Sequence, residues 1–269
     1  MNDGLKDKVA IVTGASKGIG RAIAQSLAEA GVKVVICARR TQSLLRAKKE
    51  MEKARGKILA VSADVTKPAD VKKVVAAALK KFGRLDILVN NAGGAYKFGD
   101  FNGLTDQDWL NTYRLNVMAC VYSVRYALPA LRKSPSARII QVSSISGVGP
   151  GMYNPHYTSA KAAVINVSQY LANTLAKEKI LVNTVCVGPV HSDAWDRNVE
   201  YVARLKNKDA KTMRQEFDAQ EASKIPLGRI GEGQDVAGMV TFLASAQASW
   251  ITGACFHVDG GKLASRQAV

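Results

Sequence analysis

Apolar positions along the chain fall into two patterns. Short runs rich in Val and Ile, at 9–12, 32–37, 58–61, 87–89, 139–142, 181–187 and 255–258, show no polar alternation. Such runs predict strands buried on both faces, as in a parallel sheet. The longer segments between them, 21–30, 43–54, 69–82, 106–131, 160–177 and 234–244, carry apolar residues at helical spacing. Strand and helix thus alternate from end to end, which predicts an α/β fold: a doubly wound sheet of about seven parallel strands flanked by helices. No linker, repeat or low-complexity stretch interrupts residues 1–269, so a single domain is expected. One segment departs from the alternation. Residues 193–225 are charged and amphipathic where a short loop would suffice, and a long excursion after a strand predicts a helical lid over a binding site.

Composition narrows the class. At 47% hydrophobic and 22% charged residues, the chain is globular and able to bury a large core. Its 38 Lys and Arg against 22 Asp and Glu give a formal charge of +16. These cations are spread along the predicted helices and accompany no nucleic-acid-binding motif, so a solvated basic surface is expected rather than nucleic-acid binding. No stretch approaches the ~20 uncharged apolar residues needed to span a bilayer, and MNDGLKDKVA lacks a signal-peptide core. The expectation is a cytoplasmic protein with no membrane partner. Cys37, Cys120, Cys186 and Cys255 are far apart in apolar segments, with no Cys or His at metal-ligand spacing. They are expected to be reduced core residues, and no metal site is expected.

Three clusters carry candidate chemistry. After the first strand, Thr13-Gly14-Ala15-Ser16-Lys17-Gly18-Ile19-Gly20 leads into a helix. Gly14 permits the tight bend, Gly18 lets the backbone approach a pyrophosphate, and Gly20 allows close helix packing at an anion-attracting N-terminus. The second strand ends Ile36-Cys37-Ala38-Arg39-Arg40, without the acidic residue that binds the adenosine ribose of NAD. Arg39 and Arg40, with Lys17, suit the 2′-phosphate of NADP(H) instead. Third, Tyr157 and Lys161 stand four residues apart at the start of a predicted helix, hence on one face. The ammonium stabilises a phenolate, so Tyr157 can exchange a proton with an alcohol or carbonyl oxygen. Ser144, at the end of the fifth strand, can hydrogen-bond a substrate carbonyl in the same crevice.

Taken in order, TGASKGIG, Asn90-Asn91-Ala92-Gly93, Asn116, Ser144, YxxxK, Ile251-Thr252-Gly253 and Val258-Asp259-Gly260-Gly261 resemble the short-chain dehydrogenase/reductase family, in its compact branch. The resemblance runs from about residue 5 to 262 and implies a Rossmann-type fold. It implies that Tyr157 is the catalytic acid/base, that Lys161 binds the nicotinamide ribose, that Ser144 polarises the carbonyl, and that Asn116 kinks a helix and holds a water linked to Lys161. It further implies that Asp64 and Val65 contact the adenine, that Asn90, Asn91, Ala92 and Gly93 line the adenosine ribose, and that Gly188, Val190 and Ser192 meet the nicotinamide carboxamide. Two departures stand out: Val187-Gly188-Pro189 where the family usually has Pro-Gly, and Ser192 where threonine is commoner.

The implied function is NADP(H)-dependent interconversion of a ketone and a secondary alcohol, with a small-molecule carbonyl or alcohol as partner. Tyr96, Phe98, Met152, Tyr153, His156, Trp195 and Tyr201 are expected near the substrate. The alternative is a 3-oxoacyl-thioester reductase serving an acidic acyl carrier protein, which a basic surface would attract. Lys133 and Lys177 lie near, though not at, the docking positions of such enzymes. A non-catalytic nucleotide sensor or a nucleic-acid binder is the reading from another class. The resemblance also implies a homotetramer built on helices around 116–132 and 157–177, where Ala119, Cys120, Val164, Val167 and Leu171 suit close packing.

Overall fold

The computed structural model of the chain describes residues 4–52 and 54–265. Its strands are β1 (Val9–Thr13), β2 (Lys33–Ala38), β3 (Ile58–Ser62), β4 (Ile87–Asn90), β5 (Arg138–Ser144), β6 (Leu181–Val187) and β7 (Cys255–Val258). All pair in parallel, in the order β3-β2-β1-β4-β5-β6-β7. The order reverses between β1 and β4, and in doubly wound sheets a ligand crevice opens at that switch point.

Alternation along each strand divides the core between the two faces. Ala10, Val12, Val34, Ile36, Ile140 and Val142 meet α1 (Gly18–Glu29), α2 (Thr41–Glu50) and α9 (Gly233–Ala244) on one side. Val9, Ile11, Val35, Cys37 and Ile139 meet α3 (Pro68–Phe82), α5 (Ala119–Leu131) and α6 (Pro155–Leu175) on the other. Because both faces are covered, the strands carry no polar alternation.

The predicted helix 106–131 is broken. α4 (Asp106–Tyr113) passes through a π-helical turn at Arg114–Met118 into α5. Asn116 occupies that turn, where its Nδ2 donates to the Thr112 carbonyl at 2.8 Å. The segment after β6 forms two helices, α7 (Asp193–Leu205) and α8 (Ala210–Ala222), with a core of their own around Trp195, Val199 and Met213. A short α10 (Lys262–Ser265) follows β7. Among the described residues, no helix is long and apolar enough to cross a membrane. Ala119, Cys120 and Val164, expected to suit an intersubunit contact, are buried within the chain itself.

Candidate active site

A cleft of about 740 Å³ opens at the carboxyl ends of β1, β4 and β5. Gly14, Ser16, Lys17, Gly18, Ile19 and Gly20 line it at one end, next to Arg39, Arg40 and Ser43. The glycines are required by space as well as by backbone conformation. Gly14 has φ +66°, and a Cβ there would stand 2.9 Å from the Cα of Ala92. At Gly20 a Cβ would meet the Asn91 amide and lie 2.5 Å from the Gly14 carbonyl oxygen. Asn91 staples the turn to the exit of β4: its Nδ2 donates to the Thr13 carbonyl at 2.9 Å, and its backbone N–H to Thr13 Oγ1 at 3.0 Å.

At the other end, Ser144, Tyr157 and Lys161 line the same cleft. α6 begins at Asn154, whose φ of +58° turns the chain sharply. Its backbone N–H donates to the Gly99 carbonyl at 2.8 Å, and its Oδ1 accepts from the Gly99 N–H at 3.1 Å. That clasp fixes the first turn of the helix and hence the Tyr157 ring. The Lys161 ammonium lies 5.7 Å from the ring centroid of Tyr157 and donates to the Val142 carbonyl at 2.9 Å. Ser144 Oγ accepts from the Ser146 N–H at 3.1 Å. The turn after Ser144 presses on α6: a Cβ at Gly147 would stand 2.7 Å from the carbonyl carbon of Lys161. Packing and hydrogen bonds therefore hold serine, tyrosine and lysine on facing walls.

Asn116 reaches this site indirectly. It is buried and does not line the cleft, but its amide brackets Gly94, accepting from the N–H at 3.0 Å and donating to the carbonyl at 2.8 Å. A Cβ on Gly93 would lie 2.7 Å from Asn116 Oδ1 and 2.9 Å from Lys161 Nζ. Asn116 and Lys161 thus converge behind the 93–94 backbone.

Val65, Asn91, Ala92, Gly93, Gly188, Val190, Ser192, Met152 and Trp195 also line the cleft. Several sequence expectations are corrected. Tyr96 is not in the substrate wall; its hydroxyl accepts from Arg39 Nη1 at 3.2 Å and its ring lies 5.5 Å from the guanidinium carbon, so it braces Arg39. Asp64 does not line the cleft but caps a turn, with Oδ1 accepting from the Thr66 N–H and hydroxyl at 3.0 and 2.8 Å. Burial pushes the Asp64 carboxyl up, but the Thr66 bonds and the charge of Arg39 outweigh that and hold it below the usual carboxylate range. Asn90 is buried beneath the cleft, and its side-chain amide has no protein partner. His156 is fully buried against Trp109, their ring centroids 6.0 Å apart, and Tyr201 stacks on Phe98 rather than lining the wall.

The sequence reading missed Asn198, Phe217, Glu221 and Lys262, which line the cleft from α7, α8 and α10. The Lys262 ammonium, almost wholly buried, pairs with Glu221, which also accepts from Lys224 Nζ at 2.7 Å. Only their amphipathic setting hinted at this, since the pairing spans 41 residues. Cys37, Cys120 and Cys186 are free and buried, as expected of core residues. Cys255 is only partly buried, and the fold brings Cys186, Cys255 and His257 together at the sheet edge. A second hollow, of about 730 Å³ between α9, β7 and residues 226–231, contains none of the catalytic side chains.

The cleft carries a phosphate-suited glycine turn at one end and a serine–tyrosine–lysine group at the other. Residues 14–262 match the family described as enoyl-(acyl carrier protein) reductase. L-rhamnose 1-dehydrogenase (NAD(P)(+)) of Azotobacter vinelandii is 36% identical over 98% of this chain and 99% of its own. A 3-oxoacyl-[acyl-carrier-protein] reductase of Staphylococcus aureus is 35% identical over 94% and 97%. The structure of L-sorbose reductase from Gluconobacter frateurii, complexed with NADPH and L-sorbose, superimposes with a TM-score of 0.91 at 33% identity, covering 98% and 99%. The chain belongs to the short-chain dehydrogenase/reductase family and is an oxidoreductase acting on CH–OH and C=O groups.

Proposed function

We propose that the protein is an NADP(H)-dependent oxidoreductase that interconverts a ketone and a secondary alcohol. One observation carries this reading: Ser144, Tyr157 and Lys161 share a single cleft with the glycine turn and with two arginines where an NAD site would place a carboxylate. The turn can follow its tight path because Gly14 and Gly20 lack a Cβ, which would collide with Ala92, Asn91 and the Gly14 carbonyl. Tyr96 braces Arg39 in position for a phosphate. The NADPH complex of the sorbose reductase adds support.

When bound, NADPH supplies a hydride to the carbonyl carbon. Ser144 donates a hydrogen bond to the carbonyl oxygen, and Tyr157 gives its proton to that oxygen as it becomes an alkoxide. The Lys161 ammonium stabilises the phenolate left behind, and a proton from solvent restores the tyrosine. Preorganised donors of this kind are typically worth about 3 kcal/mol each in the transition state. Asn116 acts by fixing the Gly93–Gly94 backbone against which Lys161 rests.

The substrate end combines Phe98, Tyr153, Trp195 and Phe217 with the amide of Asn198 and the charged pair Glu221–Lys262. A carbonyl compound bearing several hydroxyls suits that mixture, since aromatic faces meet its C–H groups and the polar side chains its hydroxyls. α7 and α8 form the lid. The +16 charge and the Staphylococcus relative support a second reading, a 3-oxoacyl-thioester substrate on an acidic carrier. A panel of ketoses, simple ketones and 3-oxoacyl thioesters, each assayed with NADPH and NADH, separates the two. Turnover of hydroxylated ketones with NADPH is expected; preference for NADH would overturn the cofactor reading, and thioester-only turnover the substrate reading. The homotetramer is part of the same proposal, and a monomer by light scattering at micromolar concentration would refute it.

A further inference from the structure

At the far edge of the sheet, three metal-ligand side chains meet on one face. Cys255 and His257 are two residues apart on β7 and so project to the same side. The register pairs Cys186 of β6 with His257, so all three share that side. Cys186 Sγ and Cys255 Sγ are 3.1 Å apart, and the two sulfurs and an imidazole nitrogen lie within 4.8 Å of one another. The floor beneath them is apolar, formed by Ile145, Ile165 and Leu263. Cys186 is fully buried, Cys255 partly so, and His257 is exposed.

We propose that Cys186, Cys255 and His257 form a binding site for a thiophilic divalent cation, zinc by preference, distinct from the catalytic cleft. The ligand set is the first argument. Two thiolates and an imidazole select a borderline-soft d10 ion over magnesium or calcium, which take oxygen ligands. Geometry is the second. A tetrahedral zinc ion with sulfur at about 2.3 Å and nitrogen at about 2.0 Å sets its ligand atoms about 3.5–3.8 Å apart. The sulfurs need to open from 3.1 Å by about 0.7 Å, and the imidazole to close from at most 4.8 Å. Those shifts lie within side-chain rotation for Cys255 and His257 on the edge strand β7. Charge is the third argument, since two thiolates offset the cation and the apolar floor is left without net charge. A fourth position on the ion faces outward, where His257 is exposed.

Bound there, the ion would clamp β7 to β6 just before Gly188, the residue at which the chain turns toward the cleft. That exit is already tight, for a Cβ at Gly188 would stand 2.6 Å from the Cα of Asp259.

The test is titration of the reduced, metal-free full chain with cobalt(II) and then zinc(II). One cobalt per chain is expected, with a thiolate-to-cobalt charge-transfer band that zinc abolishes. Zinc should also raise Tm. Cys255→Ser should lose the band and the Tm response, His257→Ala should weaken cobalt binding about tenfold or more, and Cys120→Ala should leave both intact. Circular dichroism confirms that each variant folds. Absence of a charge-transfer band in the reduced wild type would overturn the proposal. So would a band that survives in Cys255→Ser, or cobalt affinity unchanged in His257→Ala.

Discussion

Replacing Asn116 with alanine removes one side-chain amide and three hydrogen bonds. Its Nδ2 serves the carbonyls of Thr112 and Gly94, both at 2.8 Å, and its Oδ1 accepts from the Gly94 N–H at 3.0 Å. Thr112 is buried, so the bond lost at its carbonyl is not replaced by water; Gly94 is partly exposed and recovers some hydration. With about 1–3 kcal/mol for each group stranded, the larger figure for the buried one, the loss comes to about 3 kcal/mol. An unfolding entropy of roughly 2.1 cal/mol/K per residue over this length converts that to a Tm lowered by about 5 °C. Activity should fall further than stability, because Gly93 and Gly94 form the wall against which Lys161 is set. A displacement of about 1 Å there costs roughly 10- to 100-fold in kcat. Asn116→Asp keeps the acceptor for the Gly94 N–H but turns a carboxylate toward two carbonyls, so it should be no better than alanine. Urea unfolding and steady-state kinetics on the two variants check this. An alanine variant within about 0.5 kcal/mol of wild type, with unchanged kcat, would refute the reasoning.

Three further outcomes are expected. Arg39→Ala removes the guanidinium braced by Tyr96 and should raise KM for NADPH about 10- to 100-fold while leaving that for NADH nearly unchanged; equal effects on both would count against a phosphate contact. Gly20→Ala drives a methyl into the Gly14 carbonyl and the Asn91 amide, so nucleotide binding measured by calorimetry should be lost even where the variant folds. Asp86 is buried, and burial raises its carboxyl, but bonds from Arg84, Ser134 and the Val9 N–H together pull it below the usual range. With the folded value depressed, its contribution is present above the unfolded pKa of about 3.9 and is lost as pH falls through the folded value. Asp86→Asn should therefore be less stable than wild type at pH 7, and urea unfolding should show the gap narrowing below about pH 4; a constant gap would contradict the assignment.

The fold was legible because buried parallel strands announce themselves as unbroken Val and Ile runs, and every predicted run became a strand. Local motifs were equally plain. The glycine turn and the Tyr157–Lys161 pair each lie within one turn or one helix, so their geometry follows from spacing. Features that depend on distant segments were hidden. Nothing near Tyr96 in sequence signals that its ring meets Arg39, 57 residues away. Residues 193–225 announced a helical excursion, but not that Glu221 would meet Lys262 within the cleft wall. Cys186 and Cys255 are 69 residues apart and become neighbours only through the β6–β7 register. Phe98, Tyr153 and Trp195 do line the cleft, but His156 and Tyr201 do not, because Trp109 and Phe98 gave them packing partners that composition could not distinguish from a ligand.

The central claim is that Tyr157 donates the proton while NADPH binds elsewhere in the cleft. Tyr157→Phe removes only the hydroxyl, so the most direct test is single-turnover NADPH oxidation by this variant, alongside its NADPH affinity. The rate should fall about 10²- to 10⁴-fold while NADPH affinity stays within about threefold of wild type. Turnover at the wild-type rate, or a loss traced wholly to weakened NADPH binding, would contradict it.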